Sequence, residues 1–273
     1  MAVMANDTPA RAPRQRVRTL FLSDIHLGFR HARTRELNAF LQGIEAETIV
    51  LVGDIVDALS LARRAYWSAE HTRVLRTLLA RQRAGTRLVY IPGNHDASLA
   101  MLAQMLQGQF EVHREWVHRG ARGARTLVLH GDQFDGLHTT PAWLTWLGDF
   151  LHGRTVQVSS TVNNVRRALG RPYWPLTEAL KLGIAASARF IEHFEHVAAD
   201  HARARGYDGV ICGHIHRANL RTIRGVVYAN TGDWVESCSA LAECEQGRLR
   251  LLRWPPPAAL PAAAAAPLAA DAA

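Results

Sequence analysis

Through most of the chain, apolar runs of strand length alternate with stretches whose apolar residues recur at helical spacing. "RTLFLSDIH" reads as a first strand with polar residues gathered at its C-terminal end. A helix from about Thr34 to Gln42 follows, then the strand "TIVLVGD". A long helix over about Tyr66 to Arg83 leads to "RLVYIPGNHD", and a short one over about Ala97 to Leu106 leads onward. "EVHREWV", "TLVLHGDQFD" and "GVICGHIH" read as further strands. The runs "LRTIR", "VVYANTG", "ESCSALAEC" and "RLRLLRW" suggest a closing antiparallel meander. Helical crossovers early and hairpins late predict an α/β fold: a mixed sheet, or two packed sheets, flanked by helices.

One segment breaks the rhythm. Residues 137–206 lack a strong strand and carry three helix patterns. Thr140-Pro141 has the form of a helix start, and Trp143, Trp146, Leu147, Phe150 and Leu151 make a helical stripe behind it. A second helix is expected over about Ser160 to Leu169. A third begins near Thr177, with Leu180, Ile184, Ile191, Phe194 and Ala198 on one side. The segment reads as a helical lid inserted in a domain spanning 17–254. Residues 1–16 and the Pro/Ala-rich tail 255–273 read as disordered.

Composition narrows the class. Of 273 residues 48% are hydrophobic, enough for a substantial core. The net charge is +8, and Lys181 is the sole lysine, so the positive charge is almost all arginine. That bias either reflects general Arg usage or favours phosphate-rich or anionic-membrane partners. Cys212, Cys238 and Cys244 form no CxxC pair and fit a reducing compartment. No secretory leader and no run of roughly 18 apolar residues is present, so a soluble cytoplasmic protein is expected, with peripheral contact at the cytoplasmic face of the inner membrane as an extension.

The chemistry sits at five strand ends: "SDIH" (Asp24, His26), "GDIVD" (Asp54, Asp57), "GNHD" (Asn94, His95, Asp96), "HGDQFD" (His130, Asp132, Asp135) and "GHIH" (His214, His216). The C-terminal ends of strands in an α/β sheet gather on one edge, where ligands bind. Carboxylates, imidazoles and an amide without thiolates suit borderline-to-hard divalent ions such as Mn, Fe or Zn. Seven such groups exceed what one tetrahedral ion needs and suit two ions about 3.5–4 Å apart. Strand alternation would put the residues of Asp-x-His and His-x-His on one side. Asp57 and Asp135 could support ligating histidines or merely cap turns, and Asp132 reads as a turn residue.

The order D-x-H, G-D, G-N-H-D, H-G-D, G-H-x-H resembles the calcineurin-like metallophosphoesterase superfamily over about residues 16–254. That resemblance implies a four-layer α-β-β-α sandwich. It also implies one metal on Asp24, His26, Asp54 and His216, and another on Asp54, Asn94, His130 and His214. By the same resemblance His95 is a non-ligand acid or charge stabiliser, oriented by Asp96. "SDIHLG", "GDIVD", "HGDQFD" and "TGDWVESCSAL" are similar to the UDP-2,3-diacylglucosamine pyrophosphatase branch of lipid A synthesis, which carries a helical lid at the same place. Members of that branch have Arg where this chain has His95, so another phosphodiester or pyrophosphate is the alternative substrate. The resemblance implies two divalent ions, Mn foremost with Fe or Zn as alternatives, and a nucleotide-linked lipid as partner. No stable nucleic-acid partner is expected, because no basic-aromatic module is evident. Arg30, Arg166, Arg167 and Arg217 are candidate substrate clamps, set against an ordinary solvated surface. Trp143 and Trp146 are candidates for an acyl groove, set against ordinary core packing.

Overall fold

A computed structural model describes residues 14–96, 101, 104–106, 108–137 and 176–255. Within these residues two sheets are built from strands that alternate sides at every residue. The first sheet has the order β11-β10-β1-β2-β3-β4. Its members are β1 (Gln15–Leu22), β2 (Ile44–Val52), β3 (Arg87–Ile91), β4 (Glu111–Val112), β10 (Ser239–Glu243) and β11 (Leu249–Arg253). The second has the order β5-β6-β7-β9-β8, from β5 (Trp116–Arg119), β6 (Arg125–Val128), β7 (Gly209–Cys212), β8 (Asn219–Ile223) and β9 (Val226–Asn230). The central strands β1, β2 and β3 run parallel, as do β6, β7 and β9.

The period-two pattern separates three apolar layers. Phe21, Val50, Val52, Val89 and Ile91 face Val128, Ile211 and Ala229 between the sheets. Their chain neighbours Leu20, Leu22, Ile49, Leu51, Leu88 and Tyr90 turn the other way, onto helices α1 (Thr34–Gly43) and α3 (Ala69–Arg83). On the second sheet, Leu127, Val210, Cys212 and Tyr228 meet Phe194, Ala198, Ala199 and Ala202 of helix α4 (Leu176–Ala204). The result is the α-β-β-α sandwich, each sheet covered outside by helix.

Several local readings change. The helix expected from Tyr66 begins at Ala69, where Ser68 and His71 form a capping box, and a separate short helix α2 (Ala58–Arg63) precedes it. "EVHREWV" is two strands in different sheets, because the chain crosses between layers at 113–115. The closing meander is instead two hairpins, β8–β9 in one sheet and β10–β11 in the other. The helix expected near Thr177 is present as α4, but its C-terminal half is core rather than lid. The helices expected over Thr140–Leu151 and Ser160–Leu169, with Trp143, Trp146, Arg166 and Arg167, lie outside the described residues. Among the described residues no helix is long and apolar enough to cross a membrane. Burial raises the thiols of Cys212 and Cys238 to about 12 and about 11, so both are inert packing groups.

A polar tie joins the two sheets at the end away from the parallel strands' C-termini. Glu243 of β10, buried, accepts from Arg18 Nη1 on β1 and from His118 Nε2 on β5, both at 2.9 Å. The Ala121 amide donates to its second oxygen at 2.8 Å. These partners hold the carboxyl below its ordinary value despite burial, which pushes the other way. A lowered native value means the stabilisation is present above the unfolded value of about 4.3 and is lost as pH falls through the native one. We expect Glu243→Ala to destabilise the fold by about 3 kcal/mol, since it strands His118 and Arg18. Denaturant unfolding checks this. The gap between variant and parent should narrow steadily as the pH is taken below about 4.3.

Candidate metal centre

Each of the five polar turns leaves a parallel strand from the same edge of the sandwich. Asp24 and His26 follow β1, Asp54 and Asp57 follow β2, and Asn94 to Asp96 follow β3. His130 and Asp135 follow β6, while His214 and His216 follow β7. Side-chain alternation is not what aims them. Asp24, His26, Asp54, His214 and His216 all lie beyond their strands with φ between 49° and 70°, in the left-handed region. Asp and His enter that region more readily than most residues, yet each instance costs about 1 kcal/mol or more. The backbone is pinned there by its own hydrogen bonds: Asp24 N to Gly53 O at 3.0 Å, His26 N to Asp54 O at 2.9 Å, and Trp234 N to Asp24 O at 3.0 Å. Close packing leaves no room for added atoms. A Cβ on Gly93 would stand 2.3 Å from Asp54 Oδ1, and one on Gly213 would stand 2.5 Å from Asp24 Oδ2.

The side chains converge in three overlapping groups whose donor atoms lie within 4.8 Å of one another: Asp24, His26 and His216; His26, Asp54 and His95; Asp24, Asp54 and His130. His216 Nε2 is 3.3 Å from Asp24 Oδ1, and His130 Nε2 is 3.5 Å from Asp54 Oδ2. His26 Nε2 is 3.8 Å from Asp54 Oδ2 and 3.4 Å from His216 Nε2. Asp54 belongs to two groups, and so do Asp24 and His26.

The donor set fits divalent ions on a structural test. Asp24 Oδ1 and His130 Nε2 are buried and make no hydrogen bond among the described residues. Their partner atoms, by contrast, are spoken for. Asp24 Oδ2 takes hydrogen bonds from Ser23 Oγ and from the His214 amide. His130 Nδ1 lies 2.9 Å from the Val52 carbonyl, and donating there leaves Nε2 as the lone-pair nitrogen. The charge balance agrees. Burial opposes ionising both histidines, but Asp54 outweighs it at His130 and raises that group to about 10, and Asp24 does the same at His216, to about 9. Asp24 and Asp54 are both lowered against burial, by His216 and His130 respectively. Protonated imidazoles thus supply the positive charge that the carboxylates require, and a divalent ion would displace those protons.

The remaining expected residues fall in different places. His214 Nε2 bonds to Asp135 Oδ1 at 2.8 Å, and its ring stands outside the three groups. Asn94 is exposed on the turn after β3, and no hydrogen bond among the described residues draws its amide inward. His95 sits at the rim with 32% of its side chain exposed. The expected His95–Asp96 pairing is not found. Asp96 is consumed by the turn, accepting from the amides of Ile55, Val56 and Gly93 and from the Tyr90 hydroxyl. Asp57 takes the orienting position. Its Oδ1 is 3.2 Å from His95 Nδ1, its Oδ2 is 3.2 Å from His26 Nδ1, and it also caps α2 through Ser60 N. The Asp57 hydrogen bond, helped by Asp54, raises His95 above its ordinary value.

Reading the sequence missed the polar bed beneath Asp24. Ser23 Oγ reaches Gly232 O, and Asp233 accepts from the amides of Val235, Glu236 and Ser237. The run "DWVES" was the signal, as an Asp whose side chain bonds amides two to four residues on. Arg30 and Arg217 are exposed beside the site-bearing turns.

Among solved structures, an archaeal phosphodiesterase aligns at 13% identity over 86% of this chain and 98% of its own, with a TM-score of 0.44. Zinc-bound Vps29 from Entamoeba histolytica aligns at 15% over 86% and 97%, with a TM-score of 0.39. The phosphoesterase Yfce from E. coli aligns at 14% over 86% and 97%, also with a TM-score of 0.39. No curated protein sequence matches the chain. The calcineurin-like phosphoesterase family matches residues 17–218, a span that takes in all five polar turns. On that match the chain belongs to the calcineurin-like phosphoesterase family, hydrolases that use divalent metal ions.

Proposed function

We propose that the chain is a two-metal hydrolase acting on UDP-2,3-diacylglucosamine, releasing UMP and 2,3-diacylglucosamine 1-phosphate. The observation that carries the hydrolase half is the knot of Asp24, His26, Asp54, His130 and His216, with buried donor atoms that make no hydrogen bond among the described residues. The substrate half rests on the likeness of "SDIHLG", "GDIVD", "HGDQFD" and "TGDWVESCSAL" to the lipid A branch. In this reading Asp24, His26, Asp54 and His216 hold one ion. Asp54 and His130 would hold the other, Mn foremost, with Asn94 and His214 as the ligands the family resemblance adds from outside the three donor groups.

When bound, two divalent ions supply an activated water and neutralise charge on the phosphoryl oxygens. The chain's own part is positional. Asp57 holds His26 and His95 from a single carboxylate, and the His95 amide donates to Asp54 Oδ1 at 2.8 Å. The Asp57 hydrogen bond raises His95 and so favours its protonated form. As the bond from phosphorus to the leaving oxygen breaks, His95 gives that proton to the oxygen. A second reading, a phosphodiesterase of broader scope, is favoured by His95 itself, which stands where the lipid branch carries Arg.

The test is product identification after incubation with Mn and UDP-2,3-diacylglucosamine. Release of UMP and the lipid 1-phosphate supports the reading. Cleavage of bis(p-nitrophenyl) phosphate alone leaves the broader phosphodiesterase, and cleavage of neither compound ends both.

Two variants separate binding from proton transfer. Asp54→Ala should lose most bound metal by elemental analysis and nearly all turnover, because Asp54 serves two groups of donors. Full metal content in this variant would refute the shared-ligand assignment. His95→Ala should keep its metal and lose about 10²–10⁴ in turnover. Asp57→Asn, assayed at saturating metal, should move the basic limb of the pH–rate profile to lower pH. Losing the carboxylate lowers His95, and a general acid works only while protonated.

A further inference from the structure

Ten residues, 58–67, separate Asp57 from the cap of α3, and they do not pack like the rest of the chain. Helix α2 has no buried residue. The segment is nevertheless clamped to the catalytic edge. Asp57 caps it, the Ala58 amide donates to His95 O at 2.8 Å, and Leu61 fills the space beside Gly28, where a Cβ would lie 2.6 Å from Leu61 Cγ. Residues 62–67, "ARRAYW", are then exposed without a break.

Leu59, Tyr66 and Trp67 are 47%, 38% and 42% exposed, large apolar groups on a segment that touches the site. The two aromatic rings are fixed rather than loose, each packed edge-on to His71 at 5.6 and 5.2 Å. The Trp67 indole N–H is already donated to Thr72 Oγ1 at 3.0 Å, so its outward surface is hydrocarbon. Arg63 and Arg64 are exposed and form no ion pair among the described residues. No Asp or Glu occurs from 58 to 69.

Aromatic rings, an aliphatic side chain and unopposed arginines are the composition of a membrane headgroup layer contact. We propose that segment 58–67 docks the protein on an anionic lipid surface, with the edge that carries Asp54, Asp57 and His95 turned toward it. Charge complementarity selects the surface: a net +8 chain carries here a segment with two arginines and no acidic residue. Leu59 and the internally bonded indole argue against a nucleic-acid track, which needs stacking faces along a longer basic path. The inference concerns where the protein works and holds whichever phosphoester it cleaves.

The test is cosedimentation of the full-length chain with vesicles of phosphatidylcholine alone or mixed with phosphatidylglycerol, which needs no turnover. Binding should appear on the mixed vesicles and weaken with salt. Arg63→Gln with Arg64→Gln should lower partitioning about 30-fold, each basic side chain at an anionic surface being worth roughly fivefold. Leu59→Ser should lower it several-fold. Tyr66 and Trp67 are left intact because they pack on His71. Both variants should hydrolyse bis(p-nitrophenyl) phosphate as the parent does, if the parent hydrolyses it. Absence of parent binding to anionic vesicles, undiminished binding by both variants, or capture by single-stranded DNA or an acidic protein instead of vesicles would overturn the proposal.

Discussion

Two buried carboxylates held together are the constraint on which this structure turns. Asp24 and Asp54 are 0% and 2% exposed and share a group of donors with His130. Like charges at such range in a dry site repel strongly and require positive charge beside them. The chain meets that requirement with imidazoles, which the carboxylates pull far above their ordinary range. Imidazolium is one source of that positive charge, and a divalent ion held by the same groups would be another.

Holding such a site open demands a rigid backbone, and the sandwich provides it. Val50 and Val52 face the second sheet while Ile49 and Leu51 face the helices, so β2 cannot slip by one residue without turning both layers inside out. From that fixed strand the chain enters the left-handed region at Asp54, and the same happens after β1 and β7. Five candidate ligands share this strained conformation. Backbone bonds such as Asp24 N to Gly53 O pull one turn against the next, so the strain of each is balanced by its neighbours.

Much of this was legible in the sequence because burial writes a clear pattern. The period-two runs at 20–22, 49–52, 88–91 and 127–129 gave the central strands, and the polar residues closing each run gave the site. What the pattern could not carry was choice between equivalent carboxylates. Asp57 read as a support for a ligating histidine or a turn cap, while the family resemblance assigned the orienting of His95 to Asp96. Four donors in its own turn and the neighbouring β2 loop claim Asp96 instead, leaving Asp57 to reach across from that loop to His95. The hairpins were misread for a similar reason. Alternation marks β8 to β11 as strands, but which sheet each joins depends on packing partners far along the chain.

The double use of Asp57 ties chemistry to surface. One carboxylate faces His26 and His95, and the same oxygens start α2 through Ser60. The start of α2 and both imidazoles are therefore set by one carboxylate. Ala58 N, bonded to His95 O, adds a second link between the same two loops. The exposed run 62–67 follows directly from α2, whose start is held by that carboxylate and by the His95 carbonyl. One carboxylate thus positions both imidazoles and starts the helix that leads into the exposed segment.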